Sequence, residues 1–224
     1  MVESDLIVLI PTRGRPDNAV ALEQAFVDTK TKAARFYIVD FNDETHDEYF
    51  KRLPSESVIP IHNTTGGMAY PLNYAARQFI GDYDNFAFMG DDHRPRTANW
   101  DEKFVEELYS GSDVVYGNDL FQGSNLPTQV AMVSEIVEAL RGMVPDSQRH
   151  LYLDNFWLKL GQDLGKIKYM PEVIIEHCHA FNGKAPMDEN YARVNAPEVY
   201  SADKAAFDNY IASDQYKTLL TKLK

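Results

Sequence analysis

Phe86-Ala87-Phe88-Met89-Gly90-Asp91-Asp92-His93-Arg94-Pro95 is the stretch on which the fold turns. Mostly apolar residues run into a glycine, two adjacent carboxylates and a histidine, and a proline ends the run. A short apolar run bounded by turn residues reads as a buried strand. Asp91 and Asp92 then fall at its C-terminal end, the edge where open α/β sheets bind ligands. Neighbouring carboxylates repel each other unless a cation or a proton lies between them. Hard oxygen ligands suit Mg²⁺ or Mn²⁺, ions that commonly carry phosphates. A metal–diphosphate site at Asp91 and Asp92 is therefore the expectation. The plainer alternative is a solvated loop, and an isolated Asp-Asp pair does not choose between them.

The flanking sequence repeats the pattern. Leu6-Ile7-Val8-Leu9-Ile10 is a branched apolar run, as in a parallel strand covered on both faces. Pro11 ends it, and Thr12-Arg13-Gly14-Arg15-Pro16 follows as a loop whose two arginines suit an anion or nucleotide. Phe36-Tyr37-Ile38-Val39-Asp40 reads as a second strand, ending on a carboxylate able to accept hydrogen bonds from a base or ribose. Val58-Ile59-Pro60-Ile61 reads as a third, placed at an edge by its proline. Asn63-Thr64-Thr65-Gly66-Gly67 is a small-residue loop whose glycines admit close backbone approach. Pro71 opens the next helix, on which Asn73 is polar among apolar neighbours; it either orients a site group or faces solvent.

In the second half, Phe121 to Thr128 reads as a loop over the site. Asp154 lies among Leu151, Tyr152, Leu153, Phe156 and Trp157. Apolar surroundings raise a carboxyl pKa, which is how a general base is tuned, although a structural Asp would look the same. Lys168-Tyr169-Met170 and Val173-Ile174-Ile175 read as paired short strands, the second entering Glu176-His177-Cys178-His179. Residues two apart on a strand share a face, so His177 and His179 aim together as candidate metal ligands and Cys178 packs away from them. Lys184 sits in the loop from Asn182 to Asp188, which is suited to closing over a diphosphate. Ser201 to Lys224 reads as two helices.

Composition bounds the function. The chain has 224 residues and a formal net charge of −12, which disfavours nucleic acid and anionic membrane. An anionic substrate needs a local basic patch or a bridging cation. The single cysteine forbids an internal disulfide and fits a reducing compartment. The N-terminus lacks a basic leader, and no apolar run reaches membrane-spanning length, so a cytoplasmic protein with no membrane span is expected. Alternation of strands with helices predicts one α/β domain over 1–224, with a nucleotide-binding half at 1–95, an acceptor and catalytic half at 96–190, and C-terminal helices at 191–224. A homodimer is left open.

Together these residues resemble the GT-A-fold glycosyltransferases, family 2 especially. Ile7 to Pro16 is similar to their first strand and its basic loop; Ile38-Val39-Asp40 resembles the strand whose Asp holds the nucleobase. Gly90-Asp91-Asp92-His93 resembles their Asp-x-Asp motif, and Leu153-Asp154-Asn155 their catalytic-base motif. Gly90 and Leu153 stand where the family more often has acidic residues. The resemblance implies a mostly parallel sheet flanked by helices, with a helical C-terminal tail. It implies a UDP- or GDP-sugar donor held by Pro11, Thr12, Arg13, Arg15, Asp40, Gly67, Asn73, Asp91 and Lys184. Mn²⁺ or Mg²⁺ would be held by Asp92 with His177 or His179, and Asp154 would deprotonate the acceptor hydroxyl with inversion. A sugar-phosphate nucleotidyltransferase would share the core, but its loop after the first strand is normally richer in glycine. An inactive binding module would not need both a metal site and a base.

Overall fold

The computed structural model describes residues 5–63 and 67–224. The sequence readings on Met1 to Ser4 and on Thr64 to Gly66 lie outside them. The strands are β1 (Leu6–Thr12), β2 (Ala34–Asp40), β3 (Val58–Ile61), β4 (Asn85–Phe88), β5 (His93–Pro95), β6 (Val114–Asn118), β7 (Val130–Val133) and β8 (Ile167–His177). The helices are α1 (Pro16–Asp28), α2 (His46–Arg52), α3 (Ala69–Gln78), α4 (Trp100–Tyr109), α5 (Ser134–Leu140), α6 (Leu153–Leu164), α7 (Glu189–Val194), α8 (Pro197–Ala212) and α9 (Asp214–Leu223).

The strands form one sheet in the order β3-β2-β1-β4-β7-β6-β8-β5. β3, β2, β1 and β4 run parallel to one another, as do β6 and β8; β7 runs against β4 and β6, and β5 against β8. The mostly parallel sheet that the resemblance implied is therefore present, with β7 and β5 as its antiparallel members. The chain winds outward from β1 through β2 to β3, then returns to β4 on the other side of β1. That reversal opens a crevice at the C-terminal ends of β1 and β4, where Thr12 and Asp91 lie.

Period-two alternation divides the strand residues between two cores. Ile7, Leu9, Ile38, Phe86 and Phe88 pack beneath α3, α5, α6 and α9. Leu6, Val8, Ile10, Tyr37, Val39 and Ala87 pack beneath α1, α2 and α4. Burial on both faces is why these runs carry so few polar residues.

The structure departs from the sequence reading at three elements. Lys168–Met170 and Val173–Ile175 are not two paired strands but parts of β8, which is continuous and bulged. Gly117 of β6 registers with Met170 and Asn118 with Ile174, so the intervening residues bow out. A Cβ on Gly117 would fall 2.4 Å from the Val173 carbonyl oxygen, so only glycine lets that bulge close. His93 to Pro95 do not merely end a loop; they pair antiparallel with β8 and set His93 opposite His177. The tail's first long helix begins at Pro197 rather than Ser201, with proline at its favoured first position. The additional short helix α7 precedes it.

Candidate active site

A cleft of about 250 Å³ opens at the C-terminal ends of β1, β2 and β4 and is closed on its far side by the start of α6 and by α7. Pro11, Thr12, Arg13, Arg15, Asp40 and Gly67 line it, as do Asp91, Asp92, Asp154, His177 and His179. Residues separated by more than a hundred positions thus meet because their strands end at one sheet edge.

At one end, Asp40 closes β2 and is buried. Its Oδ2 accepts a hydrogen bond from Arg13 Nη1 at 3.0 Å, and its Oδ1 accepts backbone N–H groups of Asn42 at 3.1 Å and Asn63 at 3.3 Å. A carboxylate is thereby flanked by fixed donors. Gly67 packs against residue 149: a Cβ there would lie 2.2 Å from the Arg149 carbonyl oxygen. Glycine is required for the close approach that carries the chain into α3.

In the middle, Asp91 accepts the Thr12 hydroxyl at 2.6 Å and lies 3.8 Å from Arg15 Nη1. Burial, then the adjacent charge of Asp92, pushes its pKa up. Burial also opposes ionisation of Asp92, but the hydrogen bond and charge of His177 outweigh it and hold that carboxyl well down. The two aspartates are thus unequal, as adjacent carboxylates must be.

Asp92, His93 and His177 bring ligand atoms within 4.8 Å of one another. His177 Nε2 is 3.4 Å from Asp92 Oδ1. Its Nδ1 is buried without a hydrogen-bond partner among the described residues, 4.0 Å from Asp119 Oδ2. This donor set fits a divalent ion: one carboxylate, one imidazole, and a second carboxylate behind the imidazole to orient it. His93 is differently engaged. Its Nδ1 accepts the Gly90 N–H at 3.1 Å, and its Nε2 faces Thr128 Oγ1 at 3.4 Å, whose proton goes to Asp119 Oδ2. Burial, then His177, pulls the His93 pKa down to about 3, so the ring is neutral. It stacks on the His177 ring with centroids 4.3 Å apart and buttresses it.

At the other end, Asp154 occupies the first turn of α6. Its Oδ1 accepts the Asn155 N–H at 2.9 Å, and burial raises its pKa above the ordinary carboxylate range. Tyr152, which precedes the helix, has φ +65 and turns the chain sharply into it.

The structure places three of the expected site residues apart from this cluster. His179 does not join the cluster of metal-ligand atoms: its Nδ1 accepts the Phe181 N–H at 3.1 Å, and its ring stands edge-on to Tyr191. Asn73 does not reach the cleft. It is buried, donates to the Val144 carbonyl and Asp146 Oδ1, and accepts the N–H groups of Met143 and Val144. Lys184 lies off the cleft lining, its Nζ 2.7 Å from Glu176 Oε1.

Sequence reasoning missed the contribution of His93 and of the segment from Asp188 to Asn195. Arg15 forks onto Asp188 through Nε at 2.8 Å and Nη2 at 2.9 Å, and lies 3.9 Å above the Tyr191 ring. The Tyr191 hydroxyl donates to Asp92 Oδ2 at 2.6 Å. Arg193 also lines the cleft; burial, then the charges of Arg13 and Arg149, lowers its pKa. A chain of net charge −12 therefore concentrates guanidinium groups beside its candidate metal carboxylates. The only sequence signal for this was the Arg13–Arg15 loop.

No known family's sequence profile matches the chain, and no curated protein matches it by sequence. Solved structures match it by shape. Residues 1–349 of Staphylococcus aureus TarS in complex with UDP-GlcNAc superpose with a TM-score of 0.63 at 13% identity, over 93% of this chain and 67% of that one. A longer TarS chain gives 0.61 at 11% identity, again over 93% of this chain; the match spans 40% of TarS. A protein from Desulfovibrio desulfuricans described as a nucleotide-diphospho-sugar transferase gives 0.54 at 10% identity, over 92% of this chain and 98% of that one. At these identities the likeness is one of fold. The chain has the fold of nucleotide-diphospho-sugar transferases, as its resemblance to the GT-A enzymes implied.

Proposed function

We propose that this protein transfers a glycosyl group from a uridine-diphosphate sugar to an acceptor hydroxyl, with inversion and with the help of Mn²⁺ or Mg²⁺. The observation that carries the reading is the meeting, in one cleft, of the Asp92–His177 pair backed by Asp119 and a protonation-tuned Asp154.

Asp40 suits the nucleoside end of a donor: a buried carboxylate there accepts an N–H of the base or a hydroxyl of the ribose, and the Arg13 guanidinium beside it has further N–H groups to offer. Uridine is favoured because a TarS structure of like fold holds UDP-GlcNAc.

Asp92 and His177 would hold the divalent ion, which when bound neutralises charge building on the leaving diphosphate. Arg15 and Arg193 lie where they can add to that neutralisation once Arg15 exchanges Asp188 for phosphate oxygens. Asp154 takes the acceptor's hydroxyl proton while the acceptor oxygen bonds to the anomeric carbon. The bond from that carbon to the diphosphate oxygen breaks, and its electron pair leaves with UDP.

Calorimetric titration of UDP and GDP, with Mn²⁺ and after chelation, tests the reading. UDP is expected to bind about tenfold or more tighter than GDP, with most of that affinity lost on chelation and in Asp92→Asn. Equal binding of the two nucleotides, or no dependence on the ion, would remove the basis for it.

A further inference from the structure

We propose that the rings of Phe121, His179 and Phe181, at the mouth of the cleft, form a platform on which a pyranose ring of the acceptor docks. The acceptor is then a glycan or glycoside. This rests on the glycosyl-transfer reading above and adds the substrate class on its acceptor side.

The rings form a contiguous cluster. Phe121 lies parallel to His179 with centroids 6.1 Å apart and an interplanar angle of 16°, and Phe181 is tilted by 44° to His179 with centroids 5.1 Å apart. Phe121 also meets the His177 ring edge-on at 6.3 Å. His177 and His179 line the cleft, so the cluster continues the cleft wall outward. Asp154 lines the same cleft, which puts the candidate base in the chamber onto which the inner end of the cluster opens.

The outer rings are exposed, Phe121 by 39% and Phe181 by 61%, yet they are held in place. Asp119 Oδ1 accepts the N–H groups of Phe121, Gln122 and Gly123 at 2.8–3.0 Å, which fixes the turn carrying the first ring. The Phe181 N–H donates to His179 Nδ1 at 3.1 Å, and Asn182 Nδ2 donates to the His177 carbonyl at 2.8 Å, which fixes the second turn. Leu120 has φ +57, away from any helix end, with its side chain 48% exposed. Large apolar groups fixed in solvent on a strained turn are a cost to folding that a binding role explains.

The chemistry selects the occupant. One face of a pyranose is a flat set of C–H groups that packs on an aromatic ring, while its hydroxyls stay in water. A membrane surface calls for free cations around an apolar patch; here Arg96 and Lys184 are both paired with Glu176. Nucleobases also stack on aromatic rings, but their phosphates would meet a chain of net charge −12.

The test uses saturation-transfer NMR and titration with methyl pyranosides and disaccharides of the gluco, galacto, manno and N-acetylated series, on full-length protein with UDP and Mn²⁺. Phe121→Ala and Phe181→Ala are each expected to weaken saccharide binding about tenfold, and Phe181→Trp to keep it. UDP affinity should stay unchanged in all three. Tyr109→Ala is the control, because Tyr109 is 60% exposed and bonded to Asp5 and Asp84 at the opposite edge of the sheet. The proposal is overturned if UDP binds but no saccharide does, or if saccharides bind equally to both alanine variants. It is also overturned if single-stranded oligonucleotides or phospholipid vesicles, rather than saccharides, are the ligands that those variants lose. If wild-type protein fails to bind UDP, the transfer reading itself falls.

Discussion

A carboxylate can remove a hydroxyl proton efficiently only if its own affinity for protons is raised toward the working pH. Asp154 meets that condition through burial at the start of α6. In the proposed mechanism the ionised form is the base, so turnover should fall as pH drops through its pKa. Because that pKa lies above the ordinary carboxylate value, the acid limb of kcat should sit at a correspondingly higher pH. Asp154→Asn keeps the shape and removes the base. It should cost roughly a hundredfold to ten-thousandfold in kcat and leave UDP affinity within about twofold. Steady-state rates across pH and calorimetry on the variant check both statements. Near-normal transfer by the variant would assign the proton to another group.

Between elements, the decisive polar contact is one that the sequence leaves ambiguous. Asn73 on α3 ties down the backbone from Met143 to Asp146, just before the segment that leads into α6. A Cβ on Gly142 would lie 2.5 Å from the Asn73 side chain, so glycine lets the two segments close together. Asn73→Ala would strand the N–H groups of Met143 and Val144 in a buried place. It should lower unfolding free energy by about 2–4 kcal/mol, measured by urea titration, while UDP affinity in the folded protein stays nearly constant. A donor-binding role would instead show as lost UDP affinity at intact stability. This contrast explains what the sequence made legible. Apolar runs that end in Thr12, Asp40 and Asp91 announce their strand ends locally, because period and punctuation sit in adjacent residues. Asp154 is legible in the same way, from the large apolar residues on either side of it. His93 joins His177 only through the pairing of β5 with β8, and Tyr191 reaches Asp92 only because α7 folds back over the sheet edge. Neither contact leaves a trace in spacing along the chain. His177 and His179 share strand parity and both line the cleft, but the turn that follows β8 turns the Phe181 N–H onto His179 Nδ1, which spacing along the strand does not foretell.

At the scale of the whole molecule, one sheet edge concentrates charge that the rest of the surface does not match. Guanidinium groups gather at the cleft of an acidic chain, and His150 lies among them. Burial, then the charges of Arg193, Arg15 and Arg149, draws its pKa from 6.5 to about 4. The consequence for stability has a definite sign. Between pH 6.5 and 4 the unfolded chain gains a proton at this residue that the folded chain refuses, so stability is lost as the pH falls through that window. His93 acts in the same direction, whereas Asp91 and Asp154, whose folded pKa values are raised, act in the opposite one. Comparison of variants isolates the one residue from these others. His150→Gln removes the titration, and the stability it retains over wild type should grow by about 1–3 kcal/mol between pH 7.5 and pH 4.5. Urea unfolding of both proteins at the two pH values measures it. Well below pH 4 the two curves should run parallel, because His150 is then protonated in the folded and the unfolded chain alike, and the carboxylates held low by their partners, Asp92, Asp119 and Glu176 among them, titrate equally in both proteins. A difference that does not change with pH would mean that neither burial nor the neighbouring arginines holds the His150 pKa down, and that the ring is hydrated in the folded protein.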